Sequence, residues 1–523
     1  MTRNTIALGY AWNIASRIAA NPLVGQVVTS SIAFGDCAWA LAAAAVRAAA
    51  AHSPAVALLQ ATPQAQPLLL RMQRAQVYMR YCEARRRVPA YRALLNQHMA
   101  PRLRNSHERL LLPPTDKENY VRAYALEARC LDGRLPPAAV IDESSGSSGA
   151  PTNWVHGSAE RAQTTRSMQR HFAILFDDGP YVLLNCFALG PWATGMLVAS
   201  ALAACGQMKA VGPDADKLEN TLRTLGPAHK YILFGYPPFI KGFLDTTSLD
   251  LRAYQIAAVV GGEGISEALR ARLETTCWRV ISTYGASDLE INVGVESDLT
   301  RALRARCAAD SVLCQALFGE ASPPMLFQYN PMEYWIETNQ HAELLFSICR
   351  AGLAAPKLRY NLHDRGGVLS QAELARRLQP LGIALADLAP RRAAFPLVYV
   401  FGRSDMSVPF YGAKISPGHV AEVLARDPLL ARHVHSFQLR ASEQADLTPL
   451  LEIWLELERD LTLPLADNEL CAHMFGNLAT VNQDFRAVAK LCRPDQLAVR
   501  VFPRGTGPFA NQDARIKQQY IAA

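Results

Sequence analysis

Residues 143–152 read Glu-Ser-Ser-Gly-Ser-Ser-Gly-Ala-Pro-Thr, a run of hydroxyls and glycines without a lysine. A turn of this composition exposes backbone N–H groups, and the serine hydroxyls add donors, so the two together can wrap phosphate oxygens without bringing a charge. The competing role is a flexible tether. No Gly-Lys-Ser/Thr closes the run, so it is not a Walker A loop. Asp364 and Asp405 suit either a turn cap or a ligand contact. Glu263 stands just before Ser266, where a carboxylate can also cap a helix. ARRRVPAYRALL (84–95) offers arginines to phosphate or to solvent. Aromatic side chains gather in NCFALGPW (185–192) and FGYPPFIKGF (234–243), where Phe187, Trp192, Phe234 and Tyr236 could line a pocket for an apolar ligand. Eleven cysteines occur as scattered singles, which fits neither a zinc knuckle nor a redox pair. Free thiols in a reducing cytosol are the expectation.

Positioning such residues requires a scaffold, and its pattern is alternating. Short apolar runs predict strands at 181–187, 230–236, 254–262, 278–285, 343–348 and 396–402, with helical periods such as SEALRARLE (266–274) between them. LPPAAVID ends in a strand before the Ser/Gly run, and 157–175 is helical after it. Strands alternating with helices predict an α/β architecture with mostly parallel sheets. After Gly402 the pattern becomes a small α+β unit: a helix at 418–426, strands at 435–441 and 450–458, a helix around 482–491, and a strand at 497–503. Residues 66–97 are helical, with Leu68, Met72, Val77 and Tyr81 on one face.

A chain of 523 residues exceeds what one core supports, so two or more domains are expected. The boundaries fall at 1–84 (a helical N-terminal extension packed on the large domain), 85–402 (the large domain itself) and 403–523 (a small mobile lid). A net charge of +7, dispersed along the chain, leaves no nucleic-acid footprint. Between Asn21 and Val46 the only charge is Asp36, but Pro22, Gln26, Ser30 and Gly35 interrupt the apolar content. Packed or surface-docked helices are expected there rather than a span. Docking of residues 1–60 on a membrane or a partner stays open.

Eight segments in order resemble the adenylate-forming ligases, in their phenylacetate–CoA ligase branch. They are VPAYRALL (88–95), DKENY (116–120), ESSGSSGAPT (143–152), NCFALGPWATG (185–195), GGEGI (261–265), STYGASDLE (282–290), KLRYNLHDRG (357–366) and FGRSDMSVPFYGAKISPGHVAEVL (401–424). The resemblance implies that a carboxylate attacks the α-phosphate of ATP, pyrophosphate leaves, and a second nucleophile captures the acyl-adenylate.

By resemblance, Ser144, Ser145, Gly146, Ser147, Ser148 and Gly149 hold the outgoing phosphates. Asp288 replaces the family's glutamate as the Mg²⁺ ligand, with Glu290 as a substitute, since a hard cation wants oxygen ligands. Asp364 takes the ribose hydroxyls, while Glu263, Tyr284 and Gly285 frame the adenine. Arg403 contacts phosphate or ribose, Asp405 is the hinge of the lid, and Lys517 is the lid lysine that neutralises the α-phosphate. Phe187, Trp192, Phe234, Tyr236 and Gly262 line the acyl pocket, which suits an aromatic or medium apolar acid. CoA is the implied acceptor, with the phosphopantetheine thiol of an acyl carrier protein or an amine as alternatives. Ala150, Asp288 and the Arg-Ile-Lys-Gln-Gln setting of Lys517 depart from the family pattern and support a third alternative, a non-catalytic nucleotide- or acyl-binding relative; His363 stands where the family has a glycine and takes no role.

Overall fold

The computed structural model describes residues 35–144, 152–176, 179–390, 392–403, 407–459 and 461–510. Ser145, Gly146, Ser147, Ser148, Gly149, Ala150, Asp405 and Lys517 lie outside the described residues, as do positions 1–34.

In chain order the strands are β1 Ala139–Ser144, β2 Thr152–Gly157, β3 Tyr181–Asn185, β4 Gln207–Ala210, β5 Lys230–Gly235, β6 Gln255–Val260, β7 Arg279–Ala286, β8 Glu290–Val295 and β9 Met325–Gln328. They continue with β10 Tyr334–Thr338, β11 Glu343–Ile348, β12 Tyr360–Leu369, β13 Leu397–Arg403, β14 Val408–Phe410, β15 Ala413–Ile415, β16 Val434–Glu443, β17 Pro449–Leu457 and β18 Leu497–Phe502. Eleven of them form one sheet in the order β10-β11-β12-β13-β9-β8-β7-β6-β5-β3-β4. From β4 to β7 every pairing is parallel. From β7 to β10 every pairing is antiparallel. The expected α/β class holds. Its parallel character belongs to the β4–β7 half, and the antiparallel half extends the sheet.

The inner parallel strands β3, β5 and β6 are continuous apolar runs because helices cover both of their faces. Tyr181–Asn185 is buried at every position, and Leu183, Ile232 and Ala257 pack on one side with helices Ser158–Leu175 and Ala193–Leu202. Leu184, Leu233 and Ala258 pack on the other with Pro237–Thr246 and Glu267–Glu274. The last of these helices starts where Ser266 Oγ accepts from Leu269 N at 3.1 Å, so Ser266 and not Glu263 is its cap. Glu263 is thereby left for other contacts.

Helix Asp36–His52 packs on Gln66–Arg87. That pair is fixed to the sheet by Arg47, which donates to Met332 O at 2.9 Å, and by Gln73, which donates to Tyr334 O at 2.8 Å. No helix among the described residues is long and apolar enough to cross a membrane. All eleven cysteines are free.

The C-terminal part has its own core, in which Val420, Leu439, Ile453, Met474 and Phe485 are buried together. Its sheet runs β16-β17-β18, and β14-β15 forms a separate hairpin.

Candidate active site

One cavity of about 570 Å³ opens where the two halves of the main sheet meet, and hairpin β14-β15 closes over it. Phe187, Trp192, Phe234, Tyr236, Gly262, Glu263, Tyr284, Gly285, Asp288, Asp364 and Arg403, all expected from the sequence, line it.

The Ser/Gly run falls in the chain between β1 and β2. β1 and β2 pair antiparallel, and Ser144 opposite Thr152 is the last described rung. The hairpin is tied toward the cavity wall by Glu143, whose N–H donates to Pro191 O at 2.9 Å, one residue before Trp192.

Gly285 is required near the end of β7, since a Cβ there would meet Ile291 O at 2.2 Å. That close approach lets Tyr284 stack on Phe327, with ring centroids 5.4 Å apart. Its hydroxyl donates to Asp364 Oδ2 at 2.5 Å. Burial and the adjacent Asp364 carboxylate push the Tyr284 phenol far above its ordinary value, so it stays a donor. Asp364 lies opposite Arg403 in the β12-β13 ladder, with Arg403 Nη1 at 3.8 Å from Asp364 Oδ1.

Asp288 occupies the turn between β7 and β8 and is 7% exposed. Lys117 Nζ stands 3.3 Å from its Oδ2, and the Tyr360 hydroxyl donates to the same oxygen at 3.2 Å. Burial alone would raise its pKa, but Lys117, Lys414, Arg403 and Lys357 outweigh that effect and hold the carboxyl below its ordinary value. Asp288 is therefore ionised and faces the cavity. Glu290, the substitute weighed from sequence, is consumed elsewhere. Its carboxylate pairs with Arg350, accepts from the Tyr334 hydroxyl, and accepts from Thr164 Oγ1 at 3.0 Å.

Glu263 accepts from the N–H of Gly412, in hairpin β14-β15, at 3.0 Å. Burial, opposed by that hydrogen bond, raises its pKa to about 7. Tyr236 sits edge-on to Phe187, with centroids 5.1 Å apart at 89°. Its ring is held between two glycines in the left-handed region, Gly262 at φ 84 and Gly412 at φ 82.

Four further basic or hydroxyl side chains took no part in the reading of the sequence. Lys117 belongs to DKENY, Lys357 and Tyr360 to KLRYNLHDRG, and Lys414 to the segment after Arg403. Each sits inside a quoted motif, which was the available signal. Lys414, on β15, lines the cavity with Asp288 and Asp364, and burial lowers its pKa. Lys357 lies 3.9 Å above the Trp154 ring, and burial with the neighbouring Arg129 lowers its pKa to about 7. Among the described residues no group of three or more His, Cys, Asp or Glu could hold a metal ion.

No protein-family model matches the sequence, and no curated protein matches it. Solved structures do match its fold. The chain is similar to 2-hydroxyisobutyryl-CoA ligase in complex with 2-HIB-AMP and CoA in the thioesterification state, at 13% identity and a TM-score of 0.60, covering 86% of this chain and 88% of that one. It is also similar to an open conformation of the same ligase with 2-HIB-AMP and CoA, at 12% identity and a TM-score of 0.50, covering 87% of this chain and 92% of that one. Sheet, hairpin and C-terminal unit together thus make the fold of that CoA ligase.

Proposed function

We propose that this chain activates a carboxylic acid with ATP to an acyl-adenylate and passes the acyl group to a thiol, CoA in the first instance. The observation that carries the proposal is the convergence of Tyr284, Asp288, Asp364 and Arg403 on one cavity, although they come from segments about 120 residues apart. The likeness in fold to a ligase seen with an adenylate and CoA supports it.

The work required is to bring two anions together and spread the charge that develops as they react. Asp364, fixed by Tyr284 and Arg403, is placed to take the ribose diol. Arg403 and Lys117 present cations to phosphate oxygens, and Lys414 adds a third from the C-terminal hairpin. Glu263, Tyr284 and Gly285 make the wall for the base. Phe187, Trp192, Phe234, Tyr236 and Gly262 make the wall for the acyl group. Ser144 through Gly149 keep the role of holding the outgoing phosphates that their composition and the sequence resemblance imply. Lys517 and Asp405 keep their proposed roles in the lid.

A divalent cation fits at Asp288. Mg²⁺ typically takes one or two carboxylates and completes its shell with water and substrate phosphates. Asp288 is a single ionised carboxylate at the cavity wall, as that arrangement needs. When bound, the ion would neutralise phosphate charge. An acyl carrier thiol or an amine would enter by the same opening as CoA.

The test is pyrophosphate exchange into ATP across a panel of aryl and medium-chain acids, followed by thiol transfer from the acid that works best. Exchange dependent on one acid class and acyl-CoA formation are expected. Silence across the panel with ATP still bound would favour a non-catalytic relative, and acyl-carrier formation without acyl-CoA would reassign the acceptor.

A further inference from the structure

The acyl side of the cavity runs between helices Ser158–Leu175 and Ala193–Leu202, where Met168, Phe172, Phe176, Val198 and Leu202 make an apolar wall. Two polar side chains interrupt it. His171, from the C-terminal half of the first helix, meets Asn292 of β8, with His171 Nδ1 at 2.8 Å from Asn292 Nδ2. Both line the cavity. Burial, helped by the charge of Arg170, pulls the His171 pKa down to about 4, so the ring is neutral.

Each of these side chains has one further hydrogen-bonding group with no protein partner among the described residues. The chemistry of that pair does not depend on the tautomer. If the Asn292 amide donates to Nδ1, the ring Nε2–H is a donor and the amide oxygen an acceptor. If the ring Nδ1–H donates to the amide oxygen, Nε2 is an acceptor and the amide N–H a donor. In both cases the two side chains keep at least one donor and at least one acceptor for a ligand, in surroundings where an unmet polar group is costly. A hydroxyl, which donates and accepts at one atom, answers both.

The position sets the substituent apart from the reacting end. Asn292 stands in β8, past the turn that carries Asp288, and His171 stands between Met168 and Phe172 on the helix of the apolar wall.

We infer that His171 and Asn292 form a subsite for a hydroxyl at the far end of the acid, so that the substrate class is an aromatic or medium-chain carboxylic acid bearing a terminal hydroxyl. The inference rests on the adenylation reading above for which end of the acid is the carboxylate. The contact itself is a property of the cavity.

The experiment titrates matched acids into the full chain without nucleotide, by calorimetry. The pairs are 3-(4-hydroxyphenyl)propanoate with 3-phenylpropanoate, and 8-hydroxyoctanoate with octanoate. In at least one pair the hydroxylated member should bind at least tenfold more tightly. That ratio should fall below threefold in both His171→Phe and Asn292→Leu. Equal affinities within both pairs in the native chain, binding by no acid, or a ratio that survives both substitutions would each overturn the subsite. The titrations contain no ATP, so a failure of pyrophosphate exchange would sink the adenylation reading while leaving this result standing.

Discussion

Gly412 is where hairpin β14-β15 meets Tyr236, in the wall proposed for the acyl group, and adding a single methyl there should separate the two proposed half-reactions. The residue sits at φ 82, and a Cβ on it would lie 2.2 Å from the Tyr236 ring. Tyr236 cannot retreat to the opposite side, because Gly262 already approaches the same ring so closely that its own Cβ would be 2.6 Å away. Alanine in the left-handed region costs about 1–2 kcal/mol. Forcing a methyl into a filled contact costs about 1–3 kcal/mol. Stiffening of the unfolded chain returns about 0.4–1 kcal/mol. Only the steric share depends on where the hairpin sits, since the backbone cost and the unfolded-chain term are the same with the hairpin over the cavity or away from it. Its about 1–3 kcal/mol would lower the population of the arrangement with the hairpin over the cavity by about fivefold to 150-fold. Single-turnover transfer from preformed acyl-adenylate to CoA should slow by that factor in Gly412→Ala, while pyrophosphate exchange is affected less. Tyr236→Ala in the same chain removes the steric share and leaves only the backbone cost, a coupling of about 1–3 kcal/mol in the double-mutant cycle. Transfer at the native rate in Gly412→Ala, or strict additivity with Tyr236→Ala, would refute the placement of the hairpin.

Arg350, 2% exposed, is ion-paired with both Glu290 and Glu333. Arg350→Met should leave two buried carboxylates uncompensated and cost about 3–5 kcal/mol in urea unfolding; a loss below about 1 kcal/mol would show that the pairs carry little. Glu263 has a folded pKa of about 7 against an ordinary 4.5. A raised folded value means that its contribution to stability is full below the ordinary value and is lost as pH rises through about 7. Glu263→Gln should therefore lessen the fall in melting temperature between pH 5 and pH 8; parallel curves for the two proteins would show that Glu263 does not titrate there.

Strands that are buried on both faces were legible because their residues have no choice but to be apolar: Tyr181–Asn185, Lys230–Gly235 and Gln255–Val260 fall within the runs read from sequence. Other strands were not, among them the interior β8, β9 and β12 and the edges β4 and β10. Gln207–Ala210 is largely exposed and polar, so nothing in its composition separates it from a loop. Helix Asp467–Val481 was also missed, although Leu470, Met474, Leu478 and Val481 carry its period; Gly476 and the polar residues between them blur it. In the site, Glu263, Tyr284, Asp288, Asp364 and Arg403, named through motifs, line the cavity, whereas Glu290 does not. Lys117, Lys414, His171 and Asn292 were missed because their roles come from contacts across long separations, 121 residues for the last two. Neither neighbour alone identifies such a pair.

The charge of the described cavity explains why the parts outside it are needed. Three cations, Lys117, Arg403 and Lys414, face four carboxyls, Glu263, Asp288, Asp364 and Asp484. With Glu263 titrating near pH 7 and His171 neutral, the lining carries no positive surplus. Such a wall can accept the single phosphate of AMP or an adenylate, but not three phosphates in a row unless more positive charge arrives. The proposed sources are a divalent cation at Asp288, the backbone N–H groups of the Ser/Gly run, and Lys517. Chelating divalent ions should therefore weaken ATP binding by at least about a hundredfold, an ion pair's worth of neutralisation in a partly dry site, while changing AMP binding less than about threefold. Asp288→Asn should reproduce most of the ATP loss with metal present, because the amide cannot hold the ion. Tight ATP binding in EDTA would mean that the protein alone neutralises the triphosphate, and the assignment of Asp288 to the metal would fall with it.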